Sequence, residues 1–351
     1  MRGQEDNPPR SAFAVNAVLA VIAIAGTIGF VPESSDPGAP RLDIGGAVAA
    51  VAGLTALVFS IIEAPEAGWG SARTLGGIAA GLIVLTLFVV CELRAAHPML
   101  DPRHFRSRRL SAGSVSVFIQ FFAFFGFTFV ALQYLQGVRG DSPLKAALSV
   151  LPLAAVMMPA ARLTPRLTAR FGTRNVCAAG LVLMAAGLAV ISWVGTSSPY
   201  WLLLAGLIPL GIGMGAAMTP ATAAITEGLP AAQQGVGSAL NDLSREVGGA
   251  LGIAVIGSIA TAAYRDSLRL AGVPAGLAAK ARSSFALAVH AGGPVRASAS
   301  TAFADGVHIG LRYAAGAALL AAVIVALLLA GDRSPRRTAR REEPELVSAA
   351  R

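Results

Sequence analysis

The sequence has almost no lysine, two cysteines and no cluster of metal-ligating side chains, and each shortage removes a class of function. Lys145 and Lys280 are the only lysines among 28 basic residues; arginine carries the rest, a bias typical of a GC-rich bacterial genome. Cys91 and Cys177 each stand alone in or beside an apolar run, with neither a C-x-x-C pair nor a disulfide framework, so both read as helix-packing residues. His97, His104, His290 and His308 lie in loops or at a span edge without metal-ligand spacing. No set of nucleophile, base and orienting residue is visible, which argues against an enzyme. Gly211-Ile212-Gly213-Met214-Gly215 fails as a dinucleotide loop because it is embedded in an apolar helix with no strand before it. No cofactor is called for.

Charge is scarce too. Only 13% of the 351 residues are Asp, Glu, Lys or Arg, 55% are hydrophobic, and the mean hydropathy is +0.66. That is more apolar surface than a soluble core absorbs, so the lipid bilayer is the partner that composition demands. The net charge of +9 does not indicate nucleic acid: the basic residues cluster in short stretches between apolar runs, with no aromatic-interleaved patch, and act as topology signals.

What is present is a series of apolar runs, each near the roughly 20 residues that cross a bilayer. They fall at 12–31, 43–62, 75–93, 110–135, 146–161, 176–195, 200–226, 247–264 and 309–331. The expected fold is an all-α, polytopic helical bundle of nine spans. The run at 146–161 is short and carries Pro152 and Pro159, so it is expected to be kinked or broken. The first run follows Arg2 and Arg10, but Gly29-Phe30-Val31-Pro32-Glu33 offers no small-x-small cleavage site, so it reads as a retained helix. Arginine concentrates in one set of alternate loops, notably Arg94 to Arg109, Arg162 to Arg174, and a tail from Arg333. The positive-inside rule puts that set, and the C-terminus, in the cytoplasm. With nine spans the N-terminus then lies outside. The stretch 265–308, rich in Ala, Ser and Gly, reads as a long loop with room for a short surface helix and carries no assigned function.

Several motifs recur along these spans. Phe13, Asn16 and Phe30-Val31-Pro32-Glu33-Ser34 mark the first. Leu42-Asp43-Ile44-Gly45-Gly46 opens the second, and Glu92, Leu93, Arg94, His97, Pro98, Met99 and Leu100 close the third. Gln133-Tyr134-Leu135-Gln136-Gly137-Val138-Arg139-Gly140-Asp141-Ser142-Pro143 with Leu151-Pro152 is the most specific, and Gly235-Val236-Gly237-Ser238-Ala239-Leu240-Asn241 with Arg245 is a second strong one. With Ala302-Phe303-Ala304-Asp305-Gly306, these stretches resemble the fourteen-helix drug:proton antiporter branch of the major facilitator superfamily, aligned from about residue 10 to 331. The resemblance implies a multi-pass transporter of a bacterial inner membrane, driven by a proton gradient. It also implies that the family's first five helices, with their coupling acids, are absent ahead of Met1, so the alternative to an active exporter is a truncated, transport-inactive membrane fragment or a subunit partnered by a second polypeptide that supplies those helices. On that alignment 1–35 is the family's sixth helix, 36–95 its extra pair, 96–331 its C-terminal six-helix bundle and 332–351 a basic tail. Pro165-Arg166-Leu167-Thr168-Ala169-Arg170-Phe171-Gly172-Thr173-Arg174 resembles the family's cytoplasmic loop motif, assigning gating roles to Arg166, Arg170, Gly172 and Arg174. Here Pro165 replaces its glycine and Ala169 its aspartate.

A transporter needs a cavity with a few polar groups on it. In the fourth span Gln120, Gln133 and Gln136 stand among Phe121, Phe122, Phe124, Phe125, Phe127 and Phe129, a wall suited to flat, apolar or cationic small molecules. Helix geometry admits about one in three of those phenylalanines to a cavity, and Phe124 is the candidate. Met157 is equally compatible with a cavity wall and with packing. Asn241, Asp242, Arg245 and Glu246 form the densest charge set near a span, with 241/245 and 242/246 sharing helix faces. Asn241 is a substrate candidate; Glu246 and Asp242 are proton-coupling candidates if the helix begins early enough to submerge them. The rarity of intramembrane acids favours the competing reading, an interfacial cap neutralised by Arg245. Glycines from Gly206 to Gly215 and from Gly248 to Gly257 read as small-residue faces for close helix packing.

Overall fold

The computed structural model describes residues 8–30, 43–95, 98, 101–230 and 233–330. The expected motif residues Val31–Ser34, Leu42, His97, Met99 and Leu100, and the tail 332–351, lie outside the described residues.

Two units result. The first holds helix α1 (Pro8–Phe30). Its apolar stretch Ala17–Gly29 exposes Val18, Leu19, Val21, Ile22, Ile24 and Ile28, so it is apolar all round. Eight other helices among the described residues are long and apolar enough to cross a membrane.

The second unit opens with a hairpin of α2 (Ile44–Ala67) and α3 (Ala72–Arg94). Asp43 caps α2, its carboxylate accepting from Gly46 N at 2.8 Å, and Ser71 caps α3 through Thr74 N. The hairpin closes on small residues: a Cβ on Gly81 would sit 2.8 Å from Leu57 N, and one on Gly53 2.8 Å from the Leu85 side chain.

Next come α4 (Arg108–Gln133), extended by a π-helical turn over Tyr134–Val138, then α5 (Pro143–Phe171), α6 (Thr173–Ile191), α7 (Tyr200–Glu227) and α8 (Gln234–Ser267). Two short helices, α9 (Ala275–Ser283) and α10 (Phe285–His290), lead to α11 (Gly293–Leu328). Helices α4 to α8 and α11 pack as one bundle, in which α7 lies between α5 and α6 and α11 packs against α4, α6 and α8. Glycine sets these distances, because without a Cβ two helix backbones touch. Gly180 faces the Gly213 carbonyl and Gly187 the Gly206 carbonyl across α6 and α7; Gly248 and Gly252 of α8 lie on the Phe118 and Phe122 carbonyls of α4.

The hairpin is held to the bundle by α2. Ser258 Oγ donates to the Ile61 carbonyl at 2.7 Å, and Arg265 donates to the Pro65 carbonyl at 2.6 Å while pairing with Glu66 at 2.7 Å. At the opposite end an Arg109–Glu227 ion pair of 3.1 Å joins the start of α4 to the end of α7.

Two expectations are corrected. The fifth span is neither short nor broken: α5 runs 29 residues without interruption through Pro152, Pro159 and Pro165. A proline in a membrane helix removes one backbone bond and is tolerated where neighbouring helices cover the site; here α5 packs along α7, and Tyr200 Oη donates to the Ser149 carbonyl at 3.0 Å. The stretch 265–308 is not a loop, since its ends are the last turn of α8 and the first four turns of α11, with α9 and α10 between. That also places His308 inside α11, 3.0 Å from the Val194 carbonyl, rather than at a helix edge.

Candidate substrate site

The segment between α8 and α11 folds back as a cap on the ends of α4 and α11. Phe285 of α10 stacks on Phe303 of α11 with ring centroids 4.0 Å apart, and Tyr264 of α8 meets both edge-on. Tyr264 Oη donates to the Ala281 carbonyl at 2.7 Å, fixing α9 as well. Beneath this cap opens a cavity of about 680 Å³. Its apolar walls are Leu132, Phe285, Ala286 and Val289; its polar groups are Gln133, Gln136, Asp141, His290 and Arg296. A few polar groups on an otherwise apolar concavity are what hold and orient a small molecule.

Local structure positions each polar group. Gln133 and Gln136 lie where α4 passes into the π-helical turn, a distortion often found at functional sites. Tyr134 Oη anchors that turn on the Gly195 carbonyl at 2.8 Å. Asp141 is buried, its amide donating to the Leu135 carbonyl; its carboxylate lies 2.6 Å from Lys145 Nζ and 3.6 Å from Arg139 Nε. The His290 ring Nδ1 faces the Ala286 carbonyl at 2.7 Å, so that nitrogen carries a proton and donates.

The remaining candidates lie elsewhere. Gln120 is fully buried, donating to Ser116 O and Oγ at 3.0 Å each, so it is bundle interior and not cavity wall. Phe124 is half-buried, edge-on to Phe125 at 5.4 Å. Met157 is half-buried against the core, and its carbonyl backs Gly215. Of the phenylalanines of α4, Phe127 is fully buried while Phe125 and Phe129 are exposed.

The charge set on α8 separates. Asn241 is buried; with its amide nitrogen donating to Thr222 Oγ1 at 3.2 Å, its oxygen accepts from Arg245 Nε and Nη2 at 3.3 Å. The Arg245 guanidinium lies 5.2 Å over the Phe121 ring. Arg245 is therefore engaged with Asn241 and Phe121, and pairs with neither acid. Asp242 and Glu246 are exposed. Glu246 lies on a second cavity, about 530 Å³, between α2 and α8, with Leu54, Val58, Ile62, Val247 and Leu251 on its walls. Helix α8 begins at Gln234, so Glu246 is three turns, about 18 Å, along it.

Arg166, Arg170 and Arg174 are exposed around the α5–α6 turn, where Gly172 adopts φ 84°, a conformation that favours glycine. Arg170 lies 5.3 Å over the Phe171 ring, and none of the three pairs with a described carboxylate.

Sequence comparison gives the family to which these apolar spans and glycine seams belong. The Major Facilitator Superfamily profile matches residues 6–253. The chain belongs to this superfamily. It is similar to the multidrug resistance protein Stp of Mycobacterium tuberculosis, 32% identical over 72% of this chain and 47% of the relative. The tetracenomycin C resistance and export protein of Streptomyces glaucescens is 32% identical over 73% of this chain and 48% of its own. The multidrug efflux pump LfrA of Mycolicibacterium smegmatis is 30% identical over 85% and 58%. The chain thus spans about half the length of the curated relatives it matches.

As a superfamily member, the chain is a multi-pass membrane protein of a transporter family, not of an enzyme family. The matched region ends before α9, so Phe285, His290 and Arg296 of the cavity lie beyond it. Sequence reading found Gln133 and Gln136 through their motif and missed those three. The available signal was the pair Phe285 and Phe303 in a stretch otherwise rich in small residues.

Proposed function

We propose that this chain supplies the C-terminal bundle of a proton-coupled exporter of the fourteen-helix antiporter branch, moving small, mostly hydrophobic drug-like molecules out of the cell by alternating access. The observation that carries the reading is the 680 Å³ cavity, whose apolar walls and five polar groups match a drug-sized ligand. The names of the relatives, multidrug resistance and export proteins, support the direction of transport. Cationic substrates are left to the exposed α4 phenylalanines, Phe125 and Phe129, whose ring faces attract cations.

The proposed organisation is 1–35 as the sixth helix of the branch, 36–95 as its extra pair, 96–331 as the C-terminal bundle and 332–351 as a cytoplasmic tail, in the inner membrane. Glu246 is the proposed proton carrier. It is three turns into α8 on an apolar groove, and its neighbour Arg245 is turned to Asn241 and Phe121. Asp242, one turn earlier, is the second acid. Arg166, Arg170, Gly172 and Arg174 form the proposed gating turn.

The deciding experiment is dye export in an efflux-deficient bacterium producing this chain. Lower accumulation of a neutral lipophilic dye than in the empty-vector strain, abolished by a protonophore, is the expected result; equal accumulation overturns it. A second reading, a bundle that works only against one on a separate polypeptide, draws on the uncovered face of α5 with Leu148, Leu151 and Met158. Export that appears only on co-expression with the adjacent reading frame favours it.

A further inference from the structure

The charges around the 680 Å³ cavity do not suit a cation. Asp141 is the only carboxylate among its lining residues. That carboxylate is already shared between Lys145 at 2.6 Å and Arg139 at 3.6 Å, and Arg139 also donates to the Ser198 carbonyl at 3.0 Å. Arg296, from the first turn of α11, reaches over the same turn: a Cβ on Gly140 would lie 3.6 Å from its Nη2. Arg296 pairs with no described carboxylate and lines the cavity directly. Three cations thus lie on or beside a turn that holds one carboxylate, and among the described residues the cation on the wall itself pairs with none.

We infer that this cavity binds an amphiphile with an anionic group, its acid on Arg296 and its apolar body against Phe285, Val289 and Leu132. The inference rests on the reading of the cavity as the substrate site and fixes the charge class it takes there. A guanidinium presents a planar fork that matches a carboxylate, sulfonate or phosphate with two parallel hydrogen bonds. The amides of Gln133 and Gln136 supply further donors on the same cavity. Gln133 Nε2 bonds only its own helix, to the Phe129 carbonyl at 3.3 Å, and Gln136 is exposed. A cation entering the same space would meet Arg296. Two sources offer this chemistry, an exported acidic molecule and an anionic phospholipid of the surrounding bilayer.

The test uses two fluorophores with the same aromatic body, 8-anilinonaphthalene-1-sulfonate and the neutral N-phenyl-1-naphthylamine, titrated into the full chain in phosphatidylcholine nanodiscs. The sulfonate is expected to bind about tenfold more tightly than the neutral probe, the scale of one charge-assisted pair. R296Q should bring the sulfonate to the level of the neutral probe while leaving the latter unchanged, and R296K should restore part of the difference. V289W, which fills the cavity, should weaken both. Equal binding of the two probes by the wild type, or a ratio unmoved by R296Q, overturns the inference, as does V289W binding both normally. Repeating the titration with phosphatidylglycerol identifies the source: displacement of the sulfonate assigns the site to lipid, and its retention to an exported acid. The transport reading fails separately, if V289W abolishes probe binding yet leaves dye export intact.

Discussion

Gly46, in the first turn of α2, lies against the carboxylate of Glu92, near the end of α3: a methyl group on Gly46 would sit 2.6 Å from Glu92 Oε1 and 2.8 Å from Asp43 Oδ2. Two motifs 46 positions apart in the chain therefore meet at the base of the hairpin, and Glu92 is 2% exposed there. G46A should destabilise the protein by about 1–3 kcal/mol, the usual cost of overpacking. A thermal melt in detergent reads this directly. G76A, on the same hairpin where nothing lies within 4 Å, should leave the melt unchanged or raise it. Equal melts for the two variants would contradict the contact.

The seam between α4 and α8 is stricter, because backbone meets backbone. G252A drives a methyl into the Phe122 carbonyl, which cannot rotate away as a side chain can. It should lower the melting temperature more than G46A does. G235A, with open space around it, serves as the control in the same helix.

Removing Arg265 takes away a bond to the Pro65 carbonyl and an ion pair with Glu66. R265A should raise hydrogen exchange across residues 61–67 and leave the glycine-packed 206–215 protected. Loss of the Ser258 bond alone, in S258A, is worth about 1 kcal/mol and should give the smaller increase.

If Glu246 carries the coupled proton, E246Q keeps probe binding in the 680 Å³ cavity and loses uphill export driven by an imposed pH gradient. Proteoliposomes loaded with dye separate the two steps. Undiminished gradient-driven export by E246Q would return Glu246 to the role of an interfacial cap.

The fold was legible wherever the signal was local. Apolar run length gave α2, α3, α4, α6 and α7 almost to their ends, and the small-residue faces at Gly206–Gly215 and Gly248–Gly257 became the seams of α7 and α8. The errors share one cause. For α5, the prolines read as breaks, yet the helix runs through all three of them along α7, a packing that no local pattern shows. For 265–308, low hydropathy concealed helix, since α9, α10 and the start of α11 are held by the Tyr264, Phe285 and Phe303 rings rather than by their own apolar periodicity.

The site followed the same division. Gln133 and Gln136 were nameable from their motif, whereas Gln120, of the same residue type on the same helix, turned inward to Ser116. Which face of α4 a residue occupies is periodic and readable; which face is covered depends on α7, α8 and α11. The sequence by itself determined that this is a membrane-embedded helical bundle, because lipid selects for run length, low charge and small-residue faces, all of which are local quantities. Only the tertiary structure decided where its cavity lies and that Arg296 of α11 reaches the turn that holds Asp141. Those residues are far apart in the chain, and their charges act through space.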